Sequence, residues 1–390
     1  MYAFRKPFNA ATFNNLQIAG FDLKDVLIIS QILGYMCSKF IGIKVISELT
    51  SQSRSYLTFV LIGISALGLL LFAIVPLQFK PFCLFINGLP LGMVWGVVFS
   101  FLEGRRLTEL IATGIAVGAL IASGVVKSTA RWVLTWDFLM VNEFWMPLVT
   151  GLLFFPILIL LVWMLNQLPP PNTRDNAAKV IRVPLNGSER IELLQRFGLG
   201  LFLLVAAYIS LTIFRDFRDN FSVEILNELG YSEVSQYAQM ELVLGVIVTF
   251  TTAIAVIFRD NLKGFFFCLL LILIGFCIML ISYFLFHSGK IDGWKWVMFS
   301  GIGMSVGYVP FQIVLFERFI ALFRIKANAG FFMYICDSFG YLGSISLLFF
   351  RQWNGQENWV HFFGQLNMIT AVSGIVLMLL ISLHFFKKVY

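Results

Sequence analysis

The sequence predicts an all-α polytopic membrane protein in which two bundles of six helices follow one another along the chain. Of its 390 residues, 59% are hydrophobic and 13% charged, whereas a soluble domain is nearer half apolar and a quarter charged. The apolar residues occur in runs of about 20, the length that crosses a hydrocarbon core of roughly 30 Å. One long hydrophilic stretch, 168–196, divides the chain almost in half.

The helices are predicted from the apolar runs, taken in order. The first piece, 1–19, is short, because the 15 residues from Arg5 to Gly20 span only ~22 Å as a helix. We therefore expect a first helix that lacks its N-terminal half. Eleven longer segments follow, at 26–46, 56–76, 81–102, 108–130, 145–167, 198–220, 236–258, 264–286, 295–316, 328–350 and 360–386.

The predicted domains are an N-terminal bundle, 1–167, with its first helix incomplete, a central loop, 168–196, and a C-terminal bundle, 197–390. Three consecutive prolines, 169–171, end the preceding helix. Five arginines and lysines in the central loop place it in the cytoplasm by the positive-inside rule. The same rule predicts cytoplasmic termini and a multi-pass protein of the cell inner membrane.

The composition and motifs exclude several classes of protein. The net charge of +7 is carried mostly by loops, so it indicates topology and no nucleic-acid partner. The five cysteines form no CxxC pair, and the three histidines lie away from cysteine and carboxylate clusters. We expect no enzyme activity, no catalytic residue, no metal and no cofactor. The expected partners are a small-molecule solute and the lipid bilayer, with the chain acting as a monomer.

An internal repeat relates the two halves. At an offset of 210 residues, Arg5 aligns with Arg215 and Gly20 with Gly230. Each arginine therefore precedes a glycine–aromatic turn by the same 15 residues. An arginine inside an apolar segment is rare, so a matched pair indicates two parallel six-helix repeats with a site between them near the membrane midplane.

Charges at that depth are the candidate site residues. An ionisable side chain at mid-membrane costs at least ~2.5–3.5 kcal/mol on insertion scales, so it faces a cavity or a partner. Arg5 and Arg215 could present two planar forks to phosphate or carboxylate oxygens. Lys39 lies near the middle of the segment 26–46, and Tyr35 lies one turn earlier on its face. These four form the predicted substrate-binding set; alternatively, internal carboxylates such as Asp216, Asp219 and Asp337 neutralise the arginines.

Three further charges are candidates for coupling or counter-ion roles. Asp337 lies near the midplane of 328–350 and could carry a proton, but a counter-ion of Lys39 or Arg215 is the favoured interpretation. Glu241 could do either, and Arg218, one turn after Arg215, is expected to act at the rim or in a salt bridge. Lys127 is expected to extend to the nearer membrane surface.

Four motifs now carry a family resemblance. YAFRKPF at the start, GYMCSKFIG at 34–42, NGLPLGMVW at 87–95 and NAGFFMYICDSFGYLGS at 328–344 resemble, in order, motifs of the organophosphate:phosphate antiporters. This family is part of the major facilitator superfamily. The resemblance implies that fold, a phosphate held by Arg5 and Arg215, and Lys39 as the lysine of the S-K-F motif.

Two features depart from that family: the family's fifth-helix histidine is replaced by apolar residues around Ile115, and the FRDFRD charges at 214–219 are additional. The chain is also similar to bacterial superfamily members that have no assigned substrate.

The predicted function is secondary active transport of a small anionic, organophosphate-like solute by alternating access of the two bundles. Two alternatives remain open. A transporter-derived membrane sensor would bind a ligand without moving it. A proton-coupled permease would carry a neutral or zwitterionic solute, with Asp337 or Glu241 as the proton carrier.

Overall fold

The computed structural model of the chain describes residues 1–14, 16–47, 53–101, 108–136, 141–168, 187–257, 260–324, 329–353 and 358–389. The described residues are helical almost throughout, as the sequence predicts. The N-terminal half contains α1 (Tyr2–Arg5), a 3-10 turn (Pro7–Ala10), strands β1 (Gln17–Ile18) and β2 (Phe21–Asp22), α2 (Leu23–Ser47), α3 (Arg54–Ile74), a 3-10 turn (Leu77–Phe79), α4 (Lys80–Ser100), α5 (Thr108–Val133), α6 (Met146–Leu153) and α7 (Phe155–Asn166).

The C-terminal half begins with the longest helix of the described chain. Its elements are α8 (Gly187–Glu228), α9 (Val234–Ile257), α10 (Asn261–His287), α11 (Gly293–Pro310) with a π-helical turn (Phe311–Leu315), α12 (Phe316–Phe323), α13 (Ala329–Trp353) and α14 (Trp359–Val389).

The first segment is a shorter helix than the sequence prediction for 1–19. The α-helix stops at Arg5, because Pro7 has no N–H to continue the helical hydrogen bonds, and a single 3-10 turn follows. The chain then forms a two-stranded antiparallel hairpin in which Ile18 pairs with Phe21. Gly20 lies in this hairpin at φ +83°, a conformation that glycine adopts without steric cost.

Most of the long helices in the described part of the chain are long enough to cross a bilayer. Six spans are long and apolar enough to cross a bilayer, and the pair α6 and α7 makes a seventh if it is counted as one span. That pair is bent by 42° next to Pro156, where the sequence predicted one continuous helix. The remaining long helices, α2, α5, α9 and α13, have 25, 26, 24 and 25 residues.

The central loop is shorter than predicted. Helix α8 begins at Gly187, so the last ten residues assigned to the loop are helical, while 169–186 lie outside the described residues. Helix α8 has 42 residues with a kink at Phe221, which is more than the ~20 residues needed to cross a bilayer.

Glycines allow α2 and α4 to pack backbone to backbone. A Cβ atom at Gly88 would collide with the carbonyl oxygen of Gln31, and one at Gly92 would lie 2.7 Å from the carbonyl oxygen of Tyr35. Small residues at such spacing are the usual means of close helix approach in membranes. This contact holds the face of α2 that carries Tyr35 and Lys39 in a fixed position.

The buried side-chain amide of Asn87 links α1 to the other helices of the N-terminal half by hydrogen bonds. Asn87 on α4 donates to the carbonyl oxygens of Phe4 and Ser65 at 3.0 Å each and to Ser65 Oγ at 2.7 Å. Its Oδ1 accepts from Gln31 Nε2 at 2.7 Å, and the same Gln31 nitrogen donates to the Arg5 carbonyl oxygen at 3.1 Å. The position of Arg5 therefore depends on Asn87.

We expect Asn87→Ala to lower the free energy of unfolding by about 2 kcal/mol, since it removes four buried hydrogen bonds worth about 0.6 kcal/mol each in membranes. Unfolding in detergent measures this, and hydrogen exchange of residues 2–10 should accelerate at the same time. Asn166→Ala is the control, because Asn166 is exposed and bonds only Ser55 among the described contacts. An N-terminal segment that exchanges as slowly as in the wild type would contradict the assigned role.

Candidate functional site

Arg5 is a buried cation that lies level with the middle of α2, the depth at which the sequence predicts the membrane midplane. Its guanidinium carbon is 4.2 Å from the ring centroid of Tyr35, halfway along α2, and its Nε has no hydrogen-bond partner. Among the described residues no carboxylate forms an ion pair with it. Tyr35 in turn contacts Tyr341 of α13 edge to face, with centroids 5.3 Å apart. The stacked arginine thus lies at a contact between the halves.

Lys39 and Asp337 form an ion pair between the halves at the same level. Lys39 Nζ on α2 is 3.3 Å from Asp337 Oδ2 on α13, and it lies 5.3 Å from the Tyr35 ring centroid. This is the counter-ion pairing favoured from the sequence. The other carboxylate oxygen of Asp337 accepts from the hydroxyl of Tyr208 at 2.7 Å.

A chain of hydroxyls connects Asp337 to Arg215. The Tyr208 and Tyr308 hydroxyls are 2.9 Å apart, and Arg215 Nη1 donates to the Tyr308 hydroxyl. Because Tyr208 has one proton and gives it to Asp337, Tyr308 must donate to Tyr208. All the bonds therefore run in one direction, from Arg215 to Asp337.

Arg215 has its own counter-ion. Its Nε and Nη2 donate to Asp216 Oδ1 at 3.0 and 2.7 Å, and Asp216 Oδ2 accepts from Ser344 Oγ at 2.8 Å. Its guanidinium carbon also lies 4.4 Å from the Tyr308 ring centroid, much as Arg5 lies over Tyr35. The two arginines that the repeat relates thus both lie over a tyrosine ring, but among the described residues only Arg215 has a carboxylate partner.

The charge balance of this midplane cluster is positive. Arg5, Lys39 and Arg215 provide three cations, whereas Asp216 and Asp337 provide two carboxylates. Contacts connect these charges, because Arg5 and Lys39 both lie over the Tyr35 ring and Lys39 pairs with Asp337. One positive charge, that of Arg5, is left without a carboxylate among the described residues.

A second set of ion pairs joins the halves at one end of the bundle, which we call the paired end. Asp219 of α8 lies 2.5 Å from Lys6 Nζ and 2.7 Å from Lys127 Nζ. Lys24 pairs with Glu224. All three lysines are buried, so Lys127 does not extend to a membrane surface as predicted; Asp219 provides a nearer partner.

The paired end also joins α2 to α13. Asp25 Oδ2 is 3.1 Å from Arg351 Nη1, and the Arg351 guanidinium carbon lies 3.6 Å from the ring centroid of Trp359. Lys39 follows Asp25 by 14 residues on α2, and Asp337 precedes Arg351 by 14 residues on α13. The two antiparallel helices thus meet through two ion pairs of opposite polarity, about 21 Å apart.

Two of the predicted coupling residues lie elsewhere. Arg218 Nη1 is 2.9 Å from Glu241 Oε1, and both side chains are buried. Arg218 also lies close against Gly301 of α11, so it acts in packing within the C-terminal half. Glu241 packs across the interface on Gly124 of α5. The structure does not bring this pair together with the midplane cluster.

The sequence did not identify Tyr208, Tyr308, Tyr341 and Ser344 as site residues. Tyr308 could have been found from the repeat, because it aligns with Trp95 at an offset of 213 residues. Ser344 lies seven residues from both Asp337 and Arg351, the spacing of a helix seam. Tyr208 shows no such signal, because one tyrosine in an apolar helix is unremarkable.

Two cavities border the α2–α13 contact. One, of about 10 Å³, is lined by Asp216, Asn220 and Ser344 and has room for about one water molecule. The other, of about 190 Å³, lies at the paired end and is lined mainly by apolar side chains with Asp25 and Gln352. The smaller one adjoins the midplane charges, so a solute reaches them there only if the halves separate.

Sequence comparison identifies one family. A family model described as a family of unknown function, DUF5690, matches residues 7–388. No curated protein is significantly similar in sequence.

Comparison with solved structures identifies the fold. The nucleoside transporter NupG matches with a TM-score of 0.63 and 14% identity, over 98% of this chain and 95% of the other. A D-xylose–proton symporter matches with a TM-score of 0.66 and 14% identity, over 97% and 92%. The major facilitator superfamily proton:xylose symporter XylE bound to 6-bromo-6-deoxy-D-glucose gives 0.56 and 14%, over 100% and 93%. The chain therefore has the predicted major facilitator superfamily fold, while the organophosphate:phosphate antiporter family is not among these matches.

Proposed function

Because the chain belongs to the family of unknown function DUF5690 and has the major facilitator superfamily fold, we propose that it is a secondary transporter. Its solute is a small organic anion that binds at the midplane cluster. The two halves move around this site in alternating access. Similarity to transporters over nearly the whole of both chains supports the transport class.

The proposal that the solute is an anion rests on the surroundings of Arg5. A buried guanidinium stacked on Tyr35 keeps its planar fork available for two oxygens of one group. Burying an ion without a counter-charge is unfavourable, so an arriving anion would gain from neutralising it. Arg5 therefore provides the first contact with the solute.

The charges of the midplane cluster also favour a carboxylate over a phosphate as the anionic group of the solute. A doubly charged phosphate gripped by both arginines would meet the Asp216 carboxylate, which already holds two nitrogens of Arg215. One surplus positive charge matches a solute with one negative charge, such as a carboxylate. Transport of a carboxylate-bearing solute therefore replaces the organophosphate exchange implied by the family resemblance as our proposal.

Purified protein in liposomes tests this proposal with solutes that differ in one charged group: glucuronate against glucose, and uridine monophosphate against uridine. We expect saturable uptake of glucuronate that exceeds uptake of uridine monophosphate, with no more uptake of glucose or uridine than protein-free liposomes give. Uptake of the uncharged member of a pair alone would contradict the proposal. Binding of an anion without any uptake would favour the sensor.

A second candidate is a proton-coupled permease for a neutral or zwitterionic solute. It is favoured by Asp337, a buried midplane carboxylate bonded to Tyr208 and Lys39, and by similarity in fold to a D-xylose–proton symporter. An uncoupler separates the two proposals, because it should abolish accumulation by such a permease. Anion uptake driven by its own gradient should continue.

A further inference from the structure

Asp337 occupies a place that a solute anion could take. Its carboxylate lies on α13, yet it faces Lys39 of α2 at 3.3 Å, so an anionic group of one half sits beside a cation of the other. The Tyr208 hydroxyl holds the remaining oxygen at 2.7 Å. Tyr35 and Tyr341 complete this contact one turn away. The halves are thus joined at this level by an ion pair and an aromatic contact.

We infer that Asp337 stands in for the solute anion beside Lys39 whenever the site is empty, so that the protein changes conformation without a solute and carries out net transport, not obligatory exchange. This inference rests on the proposed function and deepens it, because it assigns the class of transport cycle. In such a transport cycle the empty protein returns to its starting conformation without a bound solute.

The argument follows from the charges between the halves. Bringing the halves together buries Lys39, and burying a cation costs several kcal/mol less when a compensating anion lies beside it. In an obligatory exchanger that anion is the solute itself, so the empty protein cannot close. Here Asp337 supplies it from within the chain, and the hydroxyl of Tyr208 keeps the carboxylate in position.

Asp337 is also connected to Arg215 by hydrogen bonds. The hydroxyl chain through Tyr208 and Tyr308 ends on Arg215, whose remaining nitrogens bind Asp216. Lys39 and Arg215 are therefore both neutralised by internal carboxylates. Only Arg5 awaits a solute, which leaves one defined docking point for the anion.

The test uses solute-free protein in lipid nanodiscs, with fluorophores at Phe79 and Lys290 for single-molecule energy transfer. Both residues are exposed at the paired end, one in each half, so the transfer efficiency reports its opening and closing. The variants are Asp337→Asn, Lys39→Met and the double variant. Lys39→Met/Asp337→Asn removes both charges and keeps the side-chain bulk.

We expect solute-free wild type to interconvert between open and closed states. Asp337→Asn should interconvert at about one tenth of the wild-type rate or more slowly, since Lys39 is then buried without the Asp337 carboxylate. The double variant should interconvert at close to the wild-type rate. If Asp337→Asn alone proves unstable, Lys39→Met against the double variant gives the same comparison. Wild-type interconversion in Asp337→Asn, or a double variant no faster than the single ones, would overturn the inference.

Flux measurements keep the two proposals separate. With an anion that the wild type takes up, Asp337→Asn should lose net uptake into solute-free liposomes and retain exchange when the same anion is inside. A wild type that transports no anion would refute the proposed function, whatever the fluorescence shows. Net uptake by Asp337→Asn at the wild-type rate would refute only the role of Asp337.

Discussion

Asp219→Asn should open the paired end of the molecule. The Asp219 carboxylate is shared by Lys6 and Lys127, at 2.5 and 2.7 Å, and both lysines belong to the other half of the chain. Removing one partner of a buried ion pair costs about 3–5 kcal/mol, because the other charge stays buried without compensation. A conformation that separates the halves and hydrates the lysines should then dominate. Energy transfer between Phe79 and Lys290 measures the change.

The effect of Asp219→Asn should depend on the lysines it leaves behind. Asp219→Asn/Lys127→Met removes one of the two stranded charges, so we expect it to recover part of the closed population. Asp292→Asn is the matched control, because Asp292 pairs with Lys295 within the same half and both are exposed. Hydrogen bonds from the Lys295 side chain and then its backbone N–H lower the pKa of Asp292. A closed population in Asp219→Asn equal to that of this control would contradict the role of Asp219.

Arg5→Gln should abolish anion uptake. The substitution removes the one midplane cation that has no carboxylate among the described residues, while Lys39 and Arg215 keep their internal counter-ions. Loss of a charge-assisted contact of about 1.5–3 kcal/mol lowers affinity roughly 10- to 150-fold, which takes uptake near background. Proteoliposome uptake of glucuronate, over a range of concentrations, measures the loss.

Two further variants separate charge from geometry at this position. Arg5→Lys keeps the charge and loses the planar fork over Tyr35, so we expect weakened uptake that lies between wild type and Arg5→Gln. Arg54→Gln is the control, because Arg54 also lies over an aromatic ring, Phe101 at 5.6 Å, but at the start of α3. If Arg54→Gln reduces uptake as much as Arg5→Gln, general damage explains the loss better than binding.

The depth of charged residues in the sequence predicted much of the midplane. Lys39 and Asp337 each lie in the middle of an apolar segment, and a long apolar segment fixes depth through the helix rise alone. Depth does not show which helices are neighbours. The sequence therefore left Lys39 and Arg215 as equal partners for Asp337, and the packing of α2 on α13 selects Lys39.

Neighbours along the chain were harder to judge. The sequence named Asp216 as one of three carboxylates that could neutralise the arginines. Consecutive helical residues point about 100° apart, so nothing favoured Asp216 over the other two, yet the long Arg215 side chain folds back onto it. Two of the three buried lysines of the paired end, Lys24 and Lys127, lie near predicted segment ends, where a path to the membrane surface looked available, whereas Lys6 lies beside Arg5. Their carboxylates come from the other half of the chain, and only the tertiary fold reveals them.

The two ion pairs between α2 and α13 make this helix pair a lever. If the Lys39–Asp337 contact is the fulcrum in the empty protein, the Asp25–Arg351 contact is the end of an arm about 21 Å long. A rotation of about 15°, typical of rigid-body switching, would part that end by about 5 Å, enough to break the ion pair and admit water. The same rotation barely changes the distance at the fulcrum. A small angular motion therefore exposes one end of the molecule while the charges at its centre stay neutralised.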